Sequence, residues 1–286
     1  MNNRFDRLGV ALAGLVLVSV PMAAQKTAKY AAPYPRDGVI KLGESDRVIA
    51  WEILRPKGAV SPLYELPLDQ VLVTLTEGAV RFTAPDGASR ITQEKFGAVR
   101  YETRGTIEQE EGLNDIASRA IVFQLKDGPA RTLPMVKGIP GQFPRLNAVK
   151  LFETDRINVW DQVWLPNQTL TNHLHYTQTV GVFLIGGKLL TRDLGKPSGV
   201  PFERHQGEVL GVPPPRDEAS LPGSGASDPR TGNGRGATTT DGTTSAGASA
   251  AGTPGVGAGG GGGARMVPHE EEWAGGSPRA IWIEFK

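Results

Sequence analysis

Short apolar runs, each stopped by glycine or proline, set the rhythm of this chain. Val71, Val73 and Leu75 alternate with Leu72 and Thr74 in a run that ends at Glu77-Gly78. Further on, Ile157, Val159 and Val163 alternate with Asn158, Trp160, Gln162 and Trp164. Successive side chains of a strand face opposite sides of its sheet, so this alternation predicts half-buried strands. Pro85-Asp86-Gly87, inside Thr83–Ser89, is a turn signal between two of them. Strands of about five residues spaced by such turns predict a sandwich or barrel. Apart from an apolar run at the N-terminus, no stretch offers three clean turns of amphipathic helix.

The pattern occurs twice. ESDRVIAWE at 44–52 returns as ETDRINVWD at 153–161, an offset of 109 that holds without a gap to Gly78 and Gly187. RAIVFQLK at 119–126 returns as RAIWIEFK at 279–286, now at an offset of 160. An internal repeat of this kind fixes architecture more firmly than propensity does. The difference of about fifty residues is an insertion in the second copy. From 213 to 264 the chain is dominated by Pro, Gly, Ser, Thr and Ala, and no aromatic residue occurs between Phe202 and Trp273. Such a stretch buries too little apolar surface to offset its ordering entropy, so a disordered insertion is expected.

Arg4 and Arg7 precede an apolar run from Leu8 to Val20, with small residues at Ala23 and Ala24. This predicts a signal peptide over 1–24 and a secreted or periplasmic protein with no membrane attachment after cleavage. The expected division is then an N-terminal barrel over 25–130, a linker over 131–148 and a C-terminal barrel over 149–286 carrying the 213–264 insertion. Each copy is long enough for a core of its own.

Charge and composition narrow the chemistry. The chain has 31 basic and 30 acidic residues, and loss of Arg4, Asp6 and Arg7 with the leader leaves the two balanced. Nucleic acid binding needs a basic surface and is not expected. With no cysteine, thiolate catalysis, iron–sulfur clusters and cysteine-bound zinc are excluded. No Ser-His-Asp arrangement or phosphate-binding loop stands out; GAGGGGGA lacks the Lys-Ser/Thr that would follow one.

The chain has four histidines, and two form His173-Leu174-His175. In a strand, positions i and i+2 share a face, so these imidazoles project together and Leu174 points away. Two such rings, joined by a third from a neighbouring strand, make a facial set of nitrogens with open positions opposite. That suits Zn, Fe, Mn, Ni or Cu and admits water or substrate. Ordinary imidazoles would release the metal as pH falls through about 6.

The order of an early strand, H-x-H, a Gly-ended strand, a hairpin and a later strand with another histidine resembles the cupin superfamily. Each copy resembles one barrel of that family, and the chain a bicupin. The resemblance implies an all-β fold of two cupin-like jelly-roll β-barrels in tandem. It makes His269, in Met266-Val267-Pro268-His269, the third ligand. The family's acidic ligand falls where this chain has Gln178 and Thr179, which implies a three-histidine site or one with the Gln178 amide oxygen as a fourth ligand. In the first copy Tyr64, Leu66 and Glu108 stand at the ligand positions, so it resembles a barrel without a metal.

Other residues read more plainly. Glu270-Glu271-Glu272 has a counterpart, Gln109-Glu110-Glu111, beside the copy without histidines, which favours a role in the fold or rim. The alternative is that Glu271 shares the inward face of His269 as ligand or general base. Trp160 and Trp164 read as core or as the wall of a pocket, Tyr176 as pointing outward and His205 as exposed. The expected function is that of a secreted metal-binding protein, monomeric or homodimeric, holding a small-molecule ligand or substrate. One form is a metal-dependent enzyme, oxygenase- or isomerase-like; the other is a non-enzymatic sugar- or small-ligand-binding or sensing protein. The fold serves both.

Overall fold

A computed structural model describes residues 29–129, 132–196, 199, 201–215 and 267–286. The expected signal peptide and nearly all of the expected insertion lie outside the described residues. Among those described there is no helix, and none is long and apolar enough to cross a membrane.

The first repeat holds β1 (Val39–Glu44), β2 (Val48–Arg55), β3 (Tyr64–Glu65), β4 (Asp69–Thr76), β5 (Gly78–Thr83), β6 (Ser89–Glu94), β7 (Val99–Glu102), β8 (Ile107–Gly112) and β9 (Ser118–Leu125). They form an antiparallel sheet in the order β1-β2-β9-β4-β7 and a second in the order β3-β8-β5-β6. The Pro85-Asp86-Gly87 turn joins β5 to β6, with Thr83 opposite Ser89.

The second repeat holds β10 (Ala148–Glu153), β11 (Ile157–Val163), β12 (Thr169–His173), β13 (Thr179–Asp193), β14 (Pro201–Arg204), β15 (Val209–Leu210) and β16 (His269–Phe285). Its sheet runs β10-β11-β16-β13-β14, with β12 also on β16 and β15 also on β13. Here β13 and β16 each run on where the first repeat has two strands. Register shifts between Phe183 and Ile185, Ile185 and Gly187, and Lys188 and Leu189 interrupt the β13–β16 ladder, and such bulges bend it. The fold is thus all-β, two like-built barrels in tandem.

Local detail repeats as well. The β1–β2 ladder shifts register between Lys41 and Gly43, and the β10–β11 ladder between Lys150 and Phe152. Ser45 Oγ accepts from the amides of Arg47 and Val48, and Thr154 Oγ1 from those of Arg156 and Ile157. Gly78 and Gly187 allow close approach of the facing strand: a Cβ would lie 2.8 Å from Ser118 Cβ in one case and 2.6 Å from Pro278 Cγ in the other.

The cores are not independent, contrary to the expectation from length. One buried cluster contains Val48, Ala50, Val71, Val73, Leu75, Ile121, Phe123 and Leu125 from the first repeat. From the second it contains Ile157, Val159, Val180, Val182, Leu184, Ile281, Ile283 and Phe285, together with Val212. The two sets of eight are equivalent position by position. One face of the β1-β2-β9-β4-β7 sheet therefore packs on β11, β13, β15 and β16 of the other repeat, and the opposite faces line their own barrels. Arg156 crosses this seam to donate to the carbonyls of Leu125 and Lys126, and Arg47 donates to that of Lys286.

The segment read as a linker packs against the second barrel. Leu133 N donates to Tyr176 O, Leu174 N donates to Pro140 O, and Phe143 stacks on Trp160 at 4.9 Å. The first repeat has the same lead-in: Ala31 pairs with Tyr64, and Tyr34 lies 5.3 Å from Trp51. Proline-arginine occurs in both, at 35–36 and 144–145, so the repeat begins earlier than the strands alone showed.

Candidate metal centre

The second barrel is lined by Phe143, Trp160, Trp164, Leu170, Phe183, Leu189, Ala280 and Trp282. Gly181 leaves room for the Trp282 ring, since a Cβ there would lie 2.7 Å from it. Into this apolar interior come His173 at the end of β12 and His269 at the start of β16, paired across the ladder. The strand ends at His173, so His175 is not a strand residue. Its ring still converges: centroids are 5.5 Å apart for His173–His175, 4.3 Å for His173–His269 and 5.2 Å for His175–His269. One nitrogen from each of the three falls within 4.8 Å of the others, the one such histidine or acidic group found among the described residues.

The second nitrogen of each ring is tethered. His173 Nδ1 lies 3.0 Å from Thr171 O and His269 Nδ1 3.1 Å from Val267 O. A carbonyl only accepts, so these Nδ1 atoms carry the proton and Nε2 keeps the lone pair. His175 Nδ1 lies 3.0 Å from Thr179 Oγ1, and its buried Nε2 has no hydrogen-bond partner. Histidine ligands are commonly held this way, with the outer nitrogen on a carbonyl or hydroxyl and the inner one on the metal. Burial lowers the His173 pKa to about 4, with Arg145 and His269 adding to the effect against Glu271. Burial first, then His269, pushes His175 well below its ordinary 6.5. Convergent ring nitrogens, two of them on rings that burial disfavours charging, are a donor set that suits a divalent transition metal.

Around the histidines lie Arg145 and Gln162, which the motif spacing did not single out, and Glu271, which alternation placed on the inward face of His269. Arg145 follows the proline of the lead-in. Its Nη1 lies 3.3 Å from His173 Nε2 and 3.1 Å from Glu271 Oε2, and its Nε donates to Gln162 Oε1 at 2.8 Å. Glu271 Oε2 also accepts from Trp164 Nε1 at 3.2 Å, while Oε1 lies 4.0 Å from His269 Nε2. Burial works to raise the Glu271 carboxyl, but Arg145 and the histidines hold it down at about 2. Glu271 is therefore a fixed anion, paired with Arg145. The signal for Arg145 was the Pro-Arg repeat at offset 109. For Gln162 and Glu271 it was the alternation that places them inward.

The sequence-predicted residues separate cleanly. The structure brings together His173, His175 and His269. It does not bring Gln178 to them: that amide turns to the other repeat and donates to Ser45 Oγ at 3.1 Å. His205 is exposed. Tyr176 faces the lead-in segment, donating to Ile139 O at 2.8 Å. In the first repeat Tyr64 pairs with Glu108, and both are buried. Burial raises the Glu108 carboxyl, and Arg90 partly offsets this with a bond of 2.8 Å. Arg55 lies between Glu94 and Glu110, and Arg36 pairs with Glu110.

No family model matches the chain, and no curated protein matches it in sequence. Solved structures do resemble it. A cupin 2 conserved barrel domain protein from Leptotrichia buccalis is 11% identical, with 88% of this chain and 91% of that one covered and a TM-score of 0.46. A single-residue mutant of Bacillus subtilis oxalate decarboxylase is 12% identical, covering 85% and 69%, with a TM-score of 0.43. A cupin domain from Bordetella pertussis Tohama I is 22% identical over 32% of this chain and 98% of its own, with a TM-score of 0.29.

Proposed function

We propose that the second repeat is a mononuclear metal centre in an exported protein, and that its metal holds and activates a small molecule. His173, His175 and His269 would supply three neutral nitrogens. When bound, the metal supplies Lewis-acid polarisation, and its remaining coordination positions are left to water or substrate. The observation that supports this reading is the tethering of the outer ring nitrogens, which turns two rings of one segment and a third from almost a hundred residues further on toward one point. The rest of the chain orients and insulates. Thr171 and Val267 fix two tautomers, the aromatic lining excludes water, and Arg145 with Glu271 forms a polar wall. The leader at 1–24 supports export to the periplasm or beyond.

The test is metal content. Full chain purified and incubated with Mn, Fe, Co, Ni or Zn salts, then desalted, should retain about one ion per chain. No retained metal, or two tightly held ions, would overturn the proposal. Cell fractionation checks the location, and a protein retained in the cytoplasm would overturn export.

A further inference from the structure

Arg145 is nine-tenths buried yet incompletely paired. Its Nε donates to Gln162 and its Nη1 to Glu271 and to His173 Nε2, while its buried Nη2 has no partner. Gln162 cannot turn away, because its own amide donates to Leu146 O and Val163 O. The Phe143 and Trp164 rings lie 5.0 Å and 5.6 Å from the guanidinium carbon. The cation is thus fixed at the edge of the histidine cluster with one donor nitrogen uncommitted. A buried donor without an acceptor is costly and uncommon.

The charges point the same way. Arg145 and Glu271 cancel, and three imidazoles bring no charge, so a divalent metal here would carry two uncompensated charges in a dry interior. An anionic ligand would offset part of that charge. We infer that Arg145 is a binding residue for the molecule this site receives, and that this molecule carries a carboxylate shared between the metal and Arg145 Nη2. A planar carboxylate matches a guanidinium. The inference rests on the metal reading above. Arg36, the counterpart in the first repeat, also has a buried nitrogen without a partner, but it lies over the Tyr64 ring at 5.3 Å, in a barrel with no histidine at the ligand positions. It serves as the comparison for a purely structural arginine.

The test uses the full chain loaded with Co2+, whose visible absorption reports its ligands. Sodium acetate and, separately, acetamide are titrated in at constant ionic strength. Acetate should change the spectrum saturably, and acetamide should not. Arg145→Gln should keep its Co2+ and bind acetate about ten- to a hundredfold more weakly, the loss of a charge-assisted bond. Arg145→Lys, with charge but no fork, should fall between, and Arg36→Gln should match wild type. Equal acetate affinity in wild type and Arg145→Gln, or acetamide binding as tightly as acetate, overturns the inference. Failure of wild type to take up Co2+ overturns the metal reading first and this inference with it. Should Arg145→Gln not fold, Arg145→Lys and the acetate-to-acetamide ratio still decide.

Discussion

The two barrels share a frame and differ in what fills it. Both carry the arginine after proline, Arg36 and Arg145, and both pair it with the middle residue of an acidic run, Glu110 and Glu271. Around that constant pair the interior changes: Tyr64, Leu66 and Glu108 stand where His173, His175 and His269 do, Ile53 replaces Gln162, and Arg55 replaces Trp164. One interior is closed by ion pairs, Arg55 to Glu94 and Glu110 and Arg100 to Glu94 and Glu102. The other keeps lone pairs convergent and a cation half-satisfied. The pairing of arginine with the acidic run recurs in both barrels, while in the second Glu271 also lies on the inward face beside His269, and what sets the two interiors apart is the handful of positions around that pair.

The sharpest break in the comparison is loss of ligands. His173→Ala, His175→Ala and His269→Ala should each leave the purified protein without metal, whereas His205→Ala should retain about one ion per chain. A His269→Ala protein with wild-type metal content would refute the convergence. Next in size is the ion network of the first barrel. Arg55 is 4% exposed and removing it strands Glu94 and Glu110, so Arg55→Met should cost about 3 kcal/mol in urea unfolding. Trp164→Phe, its counterpart, gives up one hydrogen bond and should cost about 1 kcal/mol. Equal losses would mean that the two interiors are held alike.

A third test uses pH, because only the second barrel buries histidine. Burial holds His173 at about 4 against an ordinary 6.5. Between those values the unfolded chain takes up a proton that the folded one refuses. Stability present above about 6.5 is thus lost as pH falls toward 4, on the order of 2 kcal/mol. Urea midpoints of metal-free protein from pH 7 to 4.5 should show this slope, and His173→Asn should flatten it. Metal should be held in the folded state to about pH 4, lower than the value near 6 that unperturbed imidazoles imply. A last pair of variants probes the seam. Arg156→Met removes bonds to Leu125 O, Lys126 O and Asp69 and should cost about 1–2 kcal/mol. Arg47→Met loses one longer bond of 3.4 Å to Lys286 O and should cost less than about 1 kcal/mol. The reverse order in chemical denaturation would count against the seam as described.

Much of this was legible before any coordinates. Alternation and turns gave the all-β class, the 109 offset placed His173 on Tyr64, and the observed ladders pair Tyr64 with Glu108 as they pair His173 with His269. What stayed hidden depended on contacts between distant residues. Gln178 has the right spacing for a ligand, but it is equivalent to Asp69, which meets Arg156 at the seam, and it turns the same way. Arg145 sat in a stretch that looked like a linker, since a proline-arginine pair has no periodicity to betray its burial. The shared core was invisible because an alternating strand shows that one face is buried, not against what.

That shared core also orders events in time. Ile281, Ile283 and Phe285 arrive only with β16, after the whole low-complexity stretch has been synthesised. Until then the eight apolar side chains of the first repeat lack three of their eight counterparts, and a growing chain holds a seam that is only partly covered. Such a half-made surface is a target for chaperones and a seed for association between chains. The length of the insertion thus sets how long each new molecule must wait, exposed, before its two halves close.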